Sequence, residues 1–387
     1  MLTTSTFCQK EYGTKLYKLS FDAGFTCPNR DGSLGTRGCI FCSAGGSGDF
    51  AVRLDINNSA DIEEKIQSAK DKVKHKYKGD KYIAYFQAFT NTYADTDKLR
   101  NLYTPIINRD DIAVLSIATR PDCITEETYM LLEELNNIKP VWVELGLQTT
   151  CEQSIKYIRR GYDTTVYYEA IKRLNDIGIH TITHIILYLP GESSEDMLNS
   201  VSHAVAAGTK GLKLSLLYVI DNTDLAMDYA SNPFHIPTLP EYAATVRDCI
   251  ALCPDTIVIH RTTGDAPKKD LIEPKWAADK KKVLNTLKDA LSPAQDYYVY
   301  MLKCADSSFY TGSTNDILKR LSKHQGGNGC KYTASHLPVE LIYVENCHSK
   351  RAALKREYAI KQLKKAQKLQ LLDSPENIAN DFLDKLQ

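Results

Sequence analysis

Residues 26–42 read TCPNRDGSLGTRGCIFC, and the three cysteines in this stretch, Cys27, Cys39 and Cys42, carry a C-x11-C-x2-C spacing. They stand among Pro28, Asn29, Asp31, Gly32, Gly35 and Gly38, which are residues of loops and turns and not of a packed interior. Three thiolates with no fourth ligand beside them describe a metal centre with one coordination position left open, whereas a closed structural site takes four. Two blander readings stand beside this one. A zinc site of the Cys3His type needs a histidine, and the next one in the chain is His75, beyond a long charged stretch. Three cysteines serving as small hydrophobes would sit in an apolar pattern, which this segment lacks.

The rest of the composition narrows the class of protein. A chain of 387 residues has room for two or three domains. Its eleven cysteines are an odd number, and the start MLTTSTFCQK lacks the basic residues and apolar run of an export signal. A disulfide framework is therefore not expected, and metal or redox chemistry is. Cys249 and Cys253, four apart on an expected helix, read as packing. No apolar stretch approaches the ~18 residues of a membrane span, so the expectation is a cytoplasmic protein with no membrane partner. The formal net charge is zero, yet residues 297–387 hold 14 Lys+Arg against 9 Asp+Glu, and up to Leu372 the balance is 13 against 5. A compact basic segment on a neutral chain is the electrostatic footprint of a phosphate-binding module.

From about residue 15 to 260, short apolar runs alternate with longer amphipathic segments. KLYKLSF, KYIAYFQ, AVLSIAT, VWVELGLQ, HTITHIILYL and GLKLSLLYVI are expected strands, with TIVIH at 256–260 as a short terminal one. Helical patterns lie between them, as at Ser59–Tyr77, Glu126–Asn136 and Val166–Ile177. Alternation of this kind predicts βα units around a parallel sheet. In barrels of parallel strands the site lies at the C-terminal strand ends, where this chain places Gln87, Thr90-Asn91-Thr92, Thr119, Arg120, Gln148, Thr149 and Pro190-Gly191-Glu192.

The cysteine loop, with Phe41 just before Cys42, resembles the cluster-binding loop of radical SAM enzymes. The phrases KYIAYFQAFTNTYA, LSIATRPDC, VELGLQT, HIILYLPGE and IHRTTGDAPKKDLIEPKW resemble its YhcC-like branch, which is related to the elongator catalytic subunit. The resemblance covers about the first 285 residues. It implies a partial (β/α)6 barrel, a [4Fe-4S] cluster on Cys27, Cys39 and Cys42, and S-adenosylmethionine held with help from Gln87 and Gln148, with Phe41 beside the adenine. It implies an electron donor to the cluster as well. The chain departs from those relatives in reading IRRGYD at 158–163 where they read INRGHD, Tyr188 where they have glycine, and KLSLLY where they read KLHLLH. Tyr162, Ser215 and Tyr218 therefore replace histidines expected in the pocket.

After NTLKDALSPAQD, expected to be a helix end and a Pro-containing linker, the character of the chain changes. YYVYMLKCADSSFYTGST predicts a hairpin turning at Asp306, Ser307 and Ser308. DILKRLSKH predicts a helix, GGNG a loop, PVELIYVE a strand, and Ser349–Leu372 a long basic helix. This order resembles the GIY-YIG nuclease domain in its small stand-alone form, an α+β fold. The family's two tripeptides are Tyr298-Val299-Tyr300 and Tyr310-Thr311-Gly312, followed by Arg320, His324 and Glu357. The set suits phosphodiester cleavage: Glu357 offers a hard oxygen to Mg2+, and Arg320 a fixed fork to phosphate. Arg320 and His324 share one helix face. A tyrosine phenol, with a pKa of about 10, needs the metal or Arg320 to act as a base. The resemblance makes Tyr300 and Tyr310 the candidates for activating or positioning water.

The expected organisation is a radical SAM domain over 1–285, a linker over 286–296, a GIY-YIG domain over 297–375 and a tail over 376–387. The expected function is generation of a 5′-deoxyadenosyl radical on or near nucleic acid, RNA modification being favoured. The alternative is a Mg2+-dependent, structure-specific endonuclease whose iron-sulfur barrel senses or supports. A protein that only binds nucleic acid is a third reading. The sequence specifies no oligomer.

Overall fold

Apolar runs without alternation belong to strands covered on both faces, and the first part of the chain is built from them. The computed structural model describes residues 1–46, 51–56, 58–265, 268–292 and 296–384, and the chain divides into two units, Met1–Ala290 and Leu291–Gln387. In the first unit, β1 (Tyr17–Asp22), β2 (Tyr82–Phe86), β3 (Ile112–Thr119), β4 (Val141–Gln148), β5 (His180–Leu187), β6 (Gly211–Leu216) and β7 (Val258–Arg261) stand side by side in chain order. Every pairing is parallel. Leu2–Thr3 extends the β7 edge and Val52–Arg53 the β1 edge. Among the described residues β1 and β7 do not pair, so the curled sheet is a half-barrel with an open side.

The crossover helices begin where the sequence supplies caps. The side chains of Asn58, Asp95, Thr125, Ser193 and Thr238 accept from free N–H groups at helix starts, and Ser193–Asp196 and Thr238–Glu241 close capping boxes. The helices cover the sheet, leaving Ile83, Phe86, Val114, Trp142, Val143, Ile182 and Leu214 wholly buried.

The second unit is a three-stranded antiparallel sheet of β8 (Tyr298–Cys304), β9 (Phe309–Thr314) and β10 (Val339–Asn346), with β8 in the middle. One face packs Tyr300, Leu302, Ile317, Leu321 and Leu341; the other packs Val299, Met301, Tyr343 and Ile360.

Two features differ from the sequence expectation. The basic helix expected over Ser349–Leu372 runs only from Lys350 to Gln362 and resumes at Lys365. Leu363 is extended, which lets Leu371 and Leu372 fold back against Ile360. The helix Lys280–Leu291 ends within NTLKDALSPAQD, as expected there, while Pro293, Ala294 and Gln295 lie outside the described residues. The segment expected as a tail buries Ala379 and packs Ile378, Phe382 and Leu383 on the second unit's core, because the Tyr298 face of the sheet needs covering; residues 385–387 lie outside the described residues. No helix among the described residues is long and apolar enough to cross a membrane.

Candidate active sites

The loop after β1 is wound by its own backbone. Arg30 N–H donates to the Cys27 carbonyl at 2.8 Å, and Cys42 N–H to the Cys39 carbonyl at 3.0 Å. Asn29 Nδ2 reaches Cys39 Sγ at 3.4 Å and the Arg159 carbonyl at 2.6 Å, tying the loop to the IRRGYD segment. Gly38 has φ +75°, and a Cβ there would lie 2.9 Å from Arg30 Nε, so only glycine lets the Arg30 guanidinium cross to the Ser43 carbonyl at 2.5 Å.

Cys27, Cys39 and Cys42 are free thiols, and all three border one cavity of about 1160 Å³. Among the described residues no group of three or more His, Cys, Asp or Glu side chains is arranged to hold a single metal ion. Three thiols on the wall of one large cavity leave room for a group bigger than one ion, and an all-thiolate donor set is the one iron-sulfur clusters take. A hydrogen bond with Cys42, helped by Asn29 and the charges of Arg120 and Arg30, brings the Cys39 thiol down to about 7. Arg120 approaches Cys27 Sγ at 3.9 Å.

Phe41, Gln87 and Gln148 line the same cavity, as do Thr90, Thr119 and Arg120. The other polar residues after the strands have structural work. Asn91 donates to the carbonyls of Phe86, Ala88 and Ala118, Thr92 bonds Thr119 and the Cys123 carbonyl, and Thr149 donates to Glu192. Tyr162, Ser215 and Tyr218 all face the cavity. The Tyr162 ring lies against two guanidinium groups, Arg160 at 4.7 Å and Arg120 at 4.9 Å, and its hydroxyl donates to the Gly146 carbonyl. Tyr188 does not line the cavity. Its backbone has φ +65°, a conformation that favours the glycine of the relatives, and its hydroxyl bonds Thr245 at 2.7 Å.

Sequence reasoning missed a charged group on the cavity wall. Glu144 of β4 is wholly buried and accepts from Lys18 of β1 at 3.0 Å, Ser116 of β3 at 2.9 Å, His184 of β5 at 2.8 Å, and Lys213 of β6. Lys213 also donates to Tyr85 of β2 at 3.0 Å. Burial would raise the Glu144 pKa, but Lys18, Lys213 and His184 hold it well below the usual carboxylate range. Burial, with the charge of Lys213, pushes His184 down to about 4, so its ring is neutral. The available signal was a single charged residue inside each of several apolar strands, as in VWVELGLQ and GLKLSL.

In the second unit the structure brings Tyr300, Tyr310, Arg320 and His324 together. Arg320 Nε donates to Tyr300 Oη at 3.0 Å, Tyr300 Oη meets His324 Nε2 at 2.8 Å, and His324 Nδ1 meets Thr333 Oγ1 at 2.7 Å. Thr333 donates to the Cys330 carbonyl, which assigns the His324 proton to Nδ1 and leaves Nε2 to accept from Tyr300. Burial and Arg320 lower His324 to about 4, so it stays neutral. The rings of Tyr310 and His324 are 5.1 Å apart. Glu357 lies on the Lys350–Gln362 helix and accepts from Ser313 at 2.6 Å and Lys361 at 2.5 Å. Ser313 adjoins Gly312, the residue opposite Tyr300 in the sheet.

Two glycines make room for this arrangement. A Cβ on Gly312 would lie 2.6 Å from Tyr300 Oη, and one on Gly329 would lie 2.2 Å from His324 Nδ1. The Tyr300 tip is held from both sides and cannot give way. Gly312→Ala is expected to cost about 1–3 kcal/mol in denaturant unfolding of this unit, whereas an alanine at exposed Gly326 should cost far less.

Comparisons with known proteins find both domains. The Radical SAM superfamily model matches residues 33–204, the Radical_SAM C-terminal domain 209–292, and the GIY-YIG catalytic domain 296–370. The uncharacterized protein YtqA of Bacillus subtilis is 36% identical over 295 residues, covering 76% of this chain and 90% of its own length. UPF0213 protein CPE1444 of Clostridium perfringens is 53% identical over 77 residues, which are 20% of this chain and 83% of that protein. The solved structure of archaeal Elp3 from Methanocaldococcus infernus shares the fold of the barrel at 15% identity and a TM-score of 0.51, covering 74% of this chain and 63% of that one. With an open parallel half-barrel behind its cysteine loop and a three-stranded domain holding the two tyrosines, the chain belongs to the YtqA and YhcC group of the radical SAM superfamily, joined to a GIY-YIG domain of the UPF0213 kind.

Proposed function

We propose that the barrel holds a [4Fe-4S] cluster on Cys27, Cys39 and Cys42, binds S-adenosylmethionine beside Phe41, Gln87 and Gln148, and acts on nucleic acid, with RNA favoured. The observation that carries this reading is three free thiols and these three side chains around one cavity. When bound, the cluster supplies one electron to the sulfonium, breaking a carbon–sulfur bond to leave methionine and a 5′-deoxyadenosyl radical. This electron must come from a donor protein or reductant outside the chain. Arg30 and Arg120 offset the negative charge of the thiolates, and the buried Glu144 group supplies a polar part of the same cavity wall. The reading is tested by comparing RNA nucleosides, by mass spectrometry, from cells with and without the chain. Loss of one modified nucleoside is expected; identical RNA profiles contradict the choice of RNA.

A second reading, Mg2+-dependent cleavage by the GIY-YIG domain, is favoured by the Arg320–Tyr300–His324–Thr333 chain of hydrogen bonds. Burial raises the Tyr300 phenol, so a metal on Glu357 and the Arg320 charge would have to lower it before it could act as a base. Tyr310, less buried, would position water. Glu357→Ala is expected to lower Mg2+-dependent cutting of branched or single-stranded substrates by at least ~100-fold; equal cutting by both proteins would point to a contaminating nuclease.

A further inference from the structure

Ten lysine and arginine side chains border the barrel cavity against three carboxylates, Glu144, Asp265 and Asp270. Composition does not explain this. With 14 Lys+Arg and 9 Asp+Glu in residues 297–387, out of 48 of each in the chain, residues 1–296 hold 34 and 39. An acidic stretch of sequence thus concentrates cations around one cavity, where low-dielectric walls focus their field.

Several of these cations are already engaged. Lys18 meets Glu144, Lys280 and Arg261 meet Asp265, and Arg120 meets Asp122. The ion pairs among the described residues leave out Lys72, Lys76, Lys268 and Lys269, all of them exposed. Their places in the fold are telling. Lys72 and Lys76 belong to the end of the Ser59–Val73 helix and the turns after it, and that helix packs on β1. Lys268 and Lys269 follow β7. These are the two edges of the half-barrel that do not pair, so the open side carries lysines from both of its edges.

We propose that this open side binds the phosphate backbone of a polynucleotide, so that the barrel grips nucleic acid itself and does not depend on the GIY-YIG domain to do so. The inference rests on the nucleic-acid reading of function and gives it a place. Free nucleotides share the same phosphate chemistry, and the test separates the two sources.

The experiment is lysine-acetylation footprinting of the full chain by mass spectrometry, with a short single-stranded RNA, with ATP, or with inorganic triphosphate. RNA is expected to protect Lys72, Lys76, Lys268 and Lys269 several-fold, and to do so still when Lys355, Lys364 and Lys368 of the second unit are changed to glutamine. Replacing the four barrel lysines by glutamine should lower the salt slope of RNA affinity by about 3, and replacing them by arginine should restore it; unchanged thermal unfolding of both variants shows that they fold. Protection confined to lysines of the second unit, with an unchanged salt slope, overturns the inference and leaves the nucleic-acid reading standing. Protection by ATP or triphosphate but not RNA overturns it in favour of a small phosphorylated ligand. An absence of protection by RNA in either unit overturns both the inference and the nucleic-acid reading.

Discussion

Cys39→Ala is expected to reduce the iron and acid-labile sulfide taken up in anaerobic reconstitution from about four of each per chain to background. Cys27→Ala and Cys42→Ala should do the same, because each of the three is required where the fourth position is open. The fold should survive these changes. The loop is held by Asn29, Arg30 and backbone hydrogen bonds that do not need the thiols, and the cysteines are only partly buried. By contrast, Cys249→Ala removes a packed helix side chain and should leave iron uptake unchanged. Retention of a full iron load by Cys39→Ala would show that the cluster, if present, is held elsewhere.

The second large effect is on stability. Glu144→Ala strips the acceptor from Lys18, Lys213, Ser116 and His184 together and leaves Lys213 buried without its carboxylate. Breaking a buried pair on one side costs about 3–5 kcal/mol, a large part of the stability of an ordinary domain. Urea unfolding of the first unit, followed by Trp142 fluorescence, should show that loss; a change below about 1 kcal/mol would mean that the group is not a structural keystone. The same cluster sets an acid limit. Glu144 has its pKa lowered by folding, so its contribution is present above the unfolded value of 4.5 and is lost as pH falls below it. His180 and His184 are lowered from 6.5 to about 4, so their contribution is present above pH 6.5 and drains away as pH falls from 6.5 toward 4. The first unit should therefore weaken below pH 6.5, before its carboxylates titrate.

Much of this was legible in the chain. Cys27, Cys39 and Cys42 announce themselves by spacing within a loop, and strands covered on both faces read as apolar runs, so the order of the barrel followed from local pattern. The tyrosines, Arg320 and Glu357 stand out through the resemblance to the GIY-YIG domain, a small domain whose elements follow one another closely. What pattern could not show depends on convergence. Glu144, Lys18, His184 and Lys213 come from four strands, and each looks like an isolated charge until the half-barrel curls. The break at Leu363 has no proline or glycine to mark it; it follows from where Leu371 and Leu372 pack. The burial of Ala379 likewise depends on a sheet face completed only by distant residues. The lysines of the open side are spread from Lys72 to Lys269, and the net charge of their own unit conceals them.

Whether the cysteine loop works as a radical centre is decided by the release of 5′-deoxyadenosine from S-adenosylmethionine by the full chain, reconstituted anaerobically with iron and sulfide and given a strong one-electron reductant. A bound cluster is expected, with 5′-deoxyadenosine formed together with methionine, both lost in Cys39→Ala. A chain that takes up no cluster, or one that carries a cluster and yields no 5′-deoxyadenosine, would contradict the proposed radical chemistry.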